Sequence, residues 1–183
     1  MTKQKQIDIT EEILAQIEQV TSTTVLAEDI VVFEAAAFST AALSKPGSIF
    51  HGARASRGLL EEMMNALNLN EQAIPIHTMH MQSIELPVGR AFHASIQDEP
   101  NGDATLVVMF YLPKDDPLVA KINLSVLDEV SVGVKPVSGL CSKCGFDYFG
   151  PDADFEHLYS QTCENDHVLG QDGTQNRKSV GRG

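Results

Sequence analysis

The chain has 183 residues, of which 43% are hydrophobic, so it is long enough to bury one substantial core and carry a small appended segment. Its formal net charge of -12 and its pI near 4.8 argue against nucleic-acid binding, because a negative surface repels the phosphate backbone. We expect a soluble cytosolic protein without a membrane partner, since no stretch reaches the roughly 18 apolar residues of a membrane span and the N-terminal MTKQKQIDITEE lacks the apolar centre of a signal peptide.

The first part of the chain predicts two amphipathic helices with a strand between them. Asp8, with Glu11 three residues later, is the candidate N-cap of the first helix. The apolar face of that helix comprises Ile13, Leu14, Ile17 and Val20. Residues 30–38, IVVFEAAAF, predict the strand, and the second helix is expected to begin near Ser56. The apolar face of the second helix comprises Leu59, Leu60, Met63, Met64 and Leu67.

The middle of the chain predicts a β-hairpin followed by a short helix. Residues 90–97 and 104–112 are apolar runs, and Asn101-Gly102 between them is typical of the two positive-φ positions of a type I′ turn. The dipeptide Asp116-Pro117 then offers an N-cap and a first-turn proline, so a helix is expected to begin there.

The three cysteines predict a structural Cys3His zinc site. In a reducing compartment, an odd number of cysteines favours metal ligands or free thiols over disulfides. Cys141 and Cys144 form a C-x2-C pair, and Cys163 with His167 forms a second short-spaced pair. Two such pairs suit tetrahedral Zn²⁺, which prefers thiolate and imidazole ligands. His157 is the alternative fourth ligand.

A serine and a histidine form the second candidate site. Ser131 lies in residues 127–134, LDEVSVGV, which alternate like a strand, and His80 lies 51 residues earlier. A serine hydroxyl is a poor nucleophile until an imidazole within hydrogen-bond reach removes its proton. A serine hydrolase would therefore require folding to bring these two residues together.

The order of these residues resembles that of the phage prohead proteases, which are related to the herpesvirus capsid assemblins. In that family a histidine is followed shortly by a proline, an apolar residue, a glycine and an arginine, matched here by His80 and by residues 87–90, PVGR. The catalytic serine lies in a motif like residues 128–134, DEVSVGV. The resemblance covers roughly residues 30–137 and implies Ser131 as nucleophile, His80 as base and an oxyanion hole of backbone N–H groups.

Two points of the catalytic assignment stay open within the resemblance. His80 stands about two residues farther from its glycine than the family pattern has it, so His77 is an alternative base. A third residue should orient the imidazole. The candidates for that third residue are Glu85, His93, Asp116 and His157.

The resemblance implies an α+β fold, namely a small, mainly antiparallel β-barrel with flanking helices like that of the herpesvirus proteases, with the zinc-binding segment appended. We expect the protease-like domain in residues 1–137, the zinc segment in 138–170 and a flexible, glycine-rich tail in 171–183. Some members of the family also carry a C-x2-C pair soon after the serine strand.

The implied function is a serine endopeptidase that processes scaffold or capsid proteins during phage head maturation. Those proteins would be its substrates, and the protease would act in the host cytoplasm and the procapsid or virion, as a homo-oligomer or associated with the capsid. Two other functions are open: a catalytically inactive structural head protein that keeps the protease fold, and a zinc-dependent interaction module.

Overall fold

A computed structural model describes residues 4–21, 23–44, 50–69, 74–77, 86–127, 130, 137–168 and 177–179. The fold is α+β, as the resemblance implies. The elements are, in chain order, β1 (Lys5–Ile7), α1 (Glu11–Thr21), β2 (Ile30–Ser39), β3 (Arg54–Ala55), α2 (Arg57–Asn68), β4 (Ile74–Ile76), β5 (Gly89–Asp98), β6 (Ala104–Pro113), α3 (Pro117–Asn123), β7 (Leu140–Cys141), α4 (Phe155–Ser160) and β8 (Arg177–Ser179). None of these helices has both the length and the apolar character that crossing a membrane requires.

The main sheet is open, whereas the family resemblance implies a closed barrel. It has five antiparallel strands in the order β1-β2-β6-β5-β4, so β1 and β4 are its edges among the described residues. The register pairs Gln6 with Phe33 at one edge and Pro75 with Arg90 at the other. Most of the strand expected at residues 127–134 lies outside the described residues, and the two of its residues that are described, Leu127 and Val130, are not in a strand.

Helix α1 buries its apolar face, as its periodicity predicts. Ile17 is fully buried and packs with Ile30, Val32 and Phe92 of the sheet. The predicted cap Asp8 is wrong: the helix begins at Glu11, and the backbone N–H of Ile13 donates to the hydroxyl of Thr10 at 3.3 Å. Thr10, immediately before the first turn, therefore accepts from one of the N–H groups that have no partner within the helix.

The predicted hairpin is confirmed as β5 and β6, but its turn differs from the expected type I′ turn. The connection is longer, because the N–H of Glu99 donates to the carbonyl oxygen of Asp103 at 2.8 Å and that of Gly102 donates to Glu99 at 2.9 Å. Gly102 has φ +84°, while Asn101 does not have a positive φ. Instead, the Asn101 side chain accepts from the N–H of Asp103 at 3.1 Å, as asparagine commonly does in turns.

The other two predicted helix starts are confirmed. The N–H of Leu59 donates to the hydroxyl of Ser56 at 3.1 Å, just before α2. Asp116 is the N-cap of α3, accepting from the N–H of Leu118 at 2.8 Å. At the C-terminal end of α2, the amide of Asn68 makes two hydrogen bonds, of 2.9 and 2.8 Å, with the backbone of Ala94 in β5. These two hydrogen bonds connect the end of α2 to the backbone of β5.

The chain divides into two compact units. The first comprises the described residues of Met1–Phe38, Met63–Gln97 and Thr105–Gly133, and the second those of Ser39–Glu62, Asp98–Ala104 and Val134–Gly183. The predicted zinc segment lies in the second unit.

The described residues of the second unit include a small three-stranded sheet with β8 at its centre. Strand β8 runs parallel to β3 and antiparallel to β7, with Cα partners Arg54 and Lys178 on one side and Cys141 and Arg177 on the other. Three residues of the segment expected to be a tail thus form a strand beside the first metal-ligand pair. Arg54 also forms a half-buried ion pair of 2.9 Å with Asp103 in this unit.

Candidate metal centre

The first cysteine pair lies on a tight turn between two bridged residues. Leu140 and Asp147 form an antiparallel bridge that brackets Cys141 and Cys144. The N–H of Cys141 donates to the carbonyl oxygen of Phe146 at 2.8 Å, and the N–H of Gly145 donates back to that of Cys141 at 2.8 Å. Gly145 has φ +78°, which glycine adopts at little cost, so the chain can reverse directly after Cys144.

The second pair lies on a similar turn. Thr162 and Val168 form the bracketing bridge, and the N–H of Cys163 donates to the carbonyl oxygen of His167 at 3.1 Å. The N–H of Asp166 donates to Cys163 at 2.9 Å, and Asp166 has φ +58°. Each short spacing in the sequence thus becomes one reversal that presents both of its ligands on the same side.

The structure brings all four predicted ligands together. One ligand atom from each of Cys141, Cys144, Cys163 and His167 lies within 4.8 Å of the others, and together these residues could bind a metal ion. The sulfurs of Cys144 and Cys163 are 3.6 Å apart. The Nδ1 atom of His167 lies 3.4 Å from the Cys163 sulfur and 3.6 Å from that of Cys141.

The open choice between the two histidines is decided by the helix between the ligand pairs. His157 is the third residue of α4, where its Nδ1 lies 2.7 Å from a carboxylate oxygen of Asp154. The N–H of His157 donates to the same oxygen at 3.0 Å, and the N–H of Asp154 donates to Nδ1 of His157 at 3.3 Å, so the two residues form a reciprocal capping box. His157 therefore caps α4, and His167 is the histidine that lies with the cysteines.

Burial and hydrogen bonding set the thiols apart. Cys141 and Cys163 are buried, at 6% and 3% exposure, whereas Cys144 is exposed. Desolvation raises the pKa of Cys163. At Cys144, desolvation also acts to raise the pKa. Hydrogen bonds from the Phe146 backbone and then from the Asn165 side chain outweigh this effect and lower the pKa of the Cys144 thiol to about 6. A lowered pKa favours the thiolate, which is the form that ligates metals.

An aromatic cluster outside the predicted ligand pairs packs against two of the cysteines. Phe146 and Tyr148 are buried with Cys141 and Cys163, and Phe146 meets Tyr148 edge-on with ring centroids 5.3 Å apart. Asp147 fixes the chain between them by accepting from the hydroxyl of Ser138 at 2.9 Å and from two backbone N–H groups. The signal for this cluster was the run Phe146-Asp147-Tyr148-Phe149, directly after the C-x2-C pair.

The two principal residues of the protease hypothesis, Ser131 and His80, lie outside the described residues, as does Glu85. The alternative base His77 follows β4 directly, and its buried Nδ1 has no hydrogen-bond partner among the described residues. Two further candidates have defined places: His93 lies half-buried in β5, and the carboxylate of Asp116 caps α3.

The glycine of the PVGR segment is required by packing. A Cβ atom at Gly89 would lie 2.2 Å from the carbonyl oxygen of Tyr111 and 2.6 Å from a methyl group of Leu112, both in β6. The neighbouring Arg90 donates to the carbonyl oxygen of Val20 at 3.2 Å, at the end of α1. This segment therefore fixes the start of β5 through close backbone contact and one long-range hydrogen bond.

Comparison with family models, with curated proteins and with solved structures found no match to this chain.

Proposed function

We propose that this chain is a zinc-stabilised serine endopeptidase of the phage prohead protease type, which processes scaffold or capsid proteins. One observation carries the proposal: Ser131, within the DEVSVGV segment, is followed ten residues later by a C-x2-C pair that converges with Cys163 and His167. The same succession, a serine strand and then a short-spaced cysteine pair, occurs in members of the family that the chain resembles.

Zinc fits the metal cluster in chemistry and in dimensions. Tetrahedral Zn²⁺ binds thiolate at about 2.3 Å and imidazole at about 2.0 Å, which places two sulfur ligands about 3.8 Å apart and a sulfur and a nitrogen about 3.6 Å apart. The sulfurs of Cys144 and Cys163 are 3.6 Å apart, and the two sulfur–nitrogen distances to His167 are 3.4 and 3.6 Å. Thiolate-rich sites also select zinc over hard cations such as Mg²⁺ and Ca²⁺.

The role of this zinc ion is structural. Four protein ligands complete a tetrahedral shell, so no position is left at which a water molecule could be activated. The ion would join the turn at Cys141 and Cys144 to the turn at Cys163 and His167, which closes the loop that carries α4.

The proteolytic chemistry rests on the resemblance and on the elements that flank its motifs. His77 follows β4, and the PVGR segment leads into β5, which pairs with β4. In the proposed reaction, His80 takes the proton from the Ser131 hydroxyl, and the oxygen attacks the scissile carbonyl. Backbone N–H groups would stabilise the oxyanion that forms.

The decisive experiment is Ser131→Ala in cells that co-express a capsid precursor. We expect processing to fall by about 10⁴-fold or more, because a nucleophile and its base act as a unit. The matched control is Ser95→Ala, which removes the hydroxyl of an exposed serine in β5 and should leave processing unchanged. A fluorophosphonate reagent should label the wild-type chain and the control but not Ser131→Ala.

Separate histidine variants identify the base. His80→Ala should abolish processing and labelling, whereas His77→Ala should retain a measurable rate. The reverse pattern would assign the base to His77. Processing that is undiminished in Ser131→Ala would refute the protease assignment, and a wild-type chain that neither cleaves nor labels would favour the inactive structural head protein.

A further inference from the structure

Helix α4 exposes a pair of aromatic side chains. Phe155 and Tyr159 are 71% and 64% exposed, and their ring centroids lie 4.4 Å apart. Their spacing of four residues places them on one face of the helix. Large aromatic residues that stay exposed side by side are typical of recognition surfaces, because they bury much apolar area while losing little conformational entropy.

The exposed pair lies on a helix that is held from its other side. The Asp154 and His157 capping box fixes the first turn of α4, and the His157 ring lies 5.0 Å from that of buried Phe146. Leu158 packs on the aromatic cluster around Cys141 and Cys163. The pair is therefore presented on an ordered element whose inner face contacts the core of the metal centre.

The charge around the aromatic pair selects the kind of partner. Residues 144–168 contain six carboxylates and neither lysine nor arginine. Asp152 and Glu156, close in sequence to Phe155, are exposed. Lysine and arginine side chains can bind such a surface in two ways, by electrostatic attraction to the carboxylates and by cation–π contact with the exposed rings. The same charge disfavours nucleic acid.

We propose that the α4 face, defined by Phe155, Tyr159, Asp152 and Glu156, docks a peptide segment of a partner protein that contains lysine or arginine together with apolar residues. The inference goes beyond the proposed function, on which it rests only in that the zinc ion closes the loop carrying α4. In a protease that processes scaffold or capsid proteins, such a segment belongs to the protein substrate and adds affinity apart from the bond that is cut.

The test is selection from a random 12-residue peptide library on the zinc-loaded full-length Ser131→Ala chain, followed by fluorescence anisotropy with the enriched peptides. We expect enriched peptides to carry net positive charge and at least one large apolar residue. The double variant Phe155→Ala/Tyr159→Ala should weaken their binding by about tenfold or more, as loss of a central aromatic anchor does. The charge variant Asp152→Asn/Glu156→Gln should weaken binding several-fold at low salt and less at high salt.

The controls separate this surface from general stickiness and from misfolding. Leu26→Ala and Leu69→Ala remove exposed leucines elsewhere and should leave peptide binding unchanged. All variants should bind one zinc ion per chain, since the substituted side chains are exposed. Because Ser131→Ala is used throughout, a failure of docking leaves the processing assay unaffected, and a failure of processing leaves the docking result unaffected.

Several outcomes would overturn the proposal. They are the absence of any enriched peptide, enrichment of neutral or acidic peptides, and unchanged affinity in the Phe155→Ala/Tyr159→Ala variant. Analytical ultracentrifugation supplies a further one: a dimer of the wild-type chain that the double variant abolishes would assign the α4 face to a second copy of this chain.

Discussion

Removing one buried ligand of the metal centre gives the sharpest test of that site. Cys163 is 3% exposed, and Cys163→Ser replaces its sulfur with a smaller oxygen in a side chain of the same shape, so the substitution changes the ligand more than the packing. The Cys163 sulfur lies 3.6 Å from that of Cys144 and 3.4 Å from Nδ1 of His167. We therefore expect zinc affinity to fall sharply and the second unit to lose its order.

The magnitude follows from the number of ligands. Structural zinc sites bind with apparent free energies of about 10–16 kcal/mol at neutral pH. If the four ligands of this site contribute about equally, one of them accounts for about 2.5–4 kcal/mol, which corresponds to a loss of roughly a hundredfold to a thousandfold in affinity. The effect on folding is local, because all four ligands belong to the second unit.

The assay is competition for zinc against a chromophoric chelator, together with limited proteolysis. Cys163→Ser should lose the competition at chelator concentrations where the wild type keeps its zinc, and it should be cut within residues 145–162. Glu164→Gln is the control, since this exposed neighbour is not a ligand and should behave as wild type. A Cys163→Ser chain that kept stoichiometric zinc at wild-type affinity would refute the site, as would a wild-type chain that kept no zinc at all.

Two further substitutions test the packing and the electrostatics. Gly89→Ala should lower the free energy of unfolding by about 1–3 kcal/mol or more, because its Cβ would lie 2.2 Å from the Tyr111 carbonyl oxygen. The melting temperature should fall by about 2–4 °C for each kcal/mol. Gly58→Ala in α2 has room for a Cβ and should be neutral or stabilising, so equal losses of stability in the two variants would contradict the assigned contact. A hydrogen bond from Arg57 holds the pKa of Asp98 below its usual 3.8, so the stabilisation from this exposed pair is present above that pH and is lost as the pH falls through the lowered pKa. Asp98→Asn should therefore melt slightly below the wild type at pH 7 and converge with it in acid, and a difference that persisted or grew at low pH would contradict this sign.

Local signals in the sequence predicted most of the helices and the hairpin. Ser56 and Asp116 precede helices that begin where their side chains can accept from free N–H groups, and these interactions span only two or three residues. At α1 the same kind of signal chose Asp8 over Thr10, because both residues can cap a helix and pattern alone does not fix the first turn. The Asn101-Gly102 dipeptide likewise predicted a turn at the right place, but the predicted type I′ was wrong, since only Gly102 of the two has a positive φ.

Long-range arrangement was not available from the sequence. The resemblance implied a closed barrel, yet the described strands form an open sheet, since closure depends on a strand pairing that no local pattern encodes. Strand β8 lies in a polar, glycine-rich segment, and it could not be predicted there because its partners, β3 and β7, lie far away along the chain. Its own three residues give no period from which a strand could be predicted.

The candidate metal centre shows most clearly what the sequence determined and what the tertiary structure decided. The sequence by itself determined the two short-spaced ligand pairs, because a spacing of two to four residues is converted into a shared turn by local hydrogen bonds alone. Only the tertiary structure decided that the pairs converge, and that His167 joins them while His157 caps α4. Both histidines are chemically competent, and the choice depends on which imidazole the folded chain brings to the cysteine sulfurs.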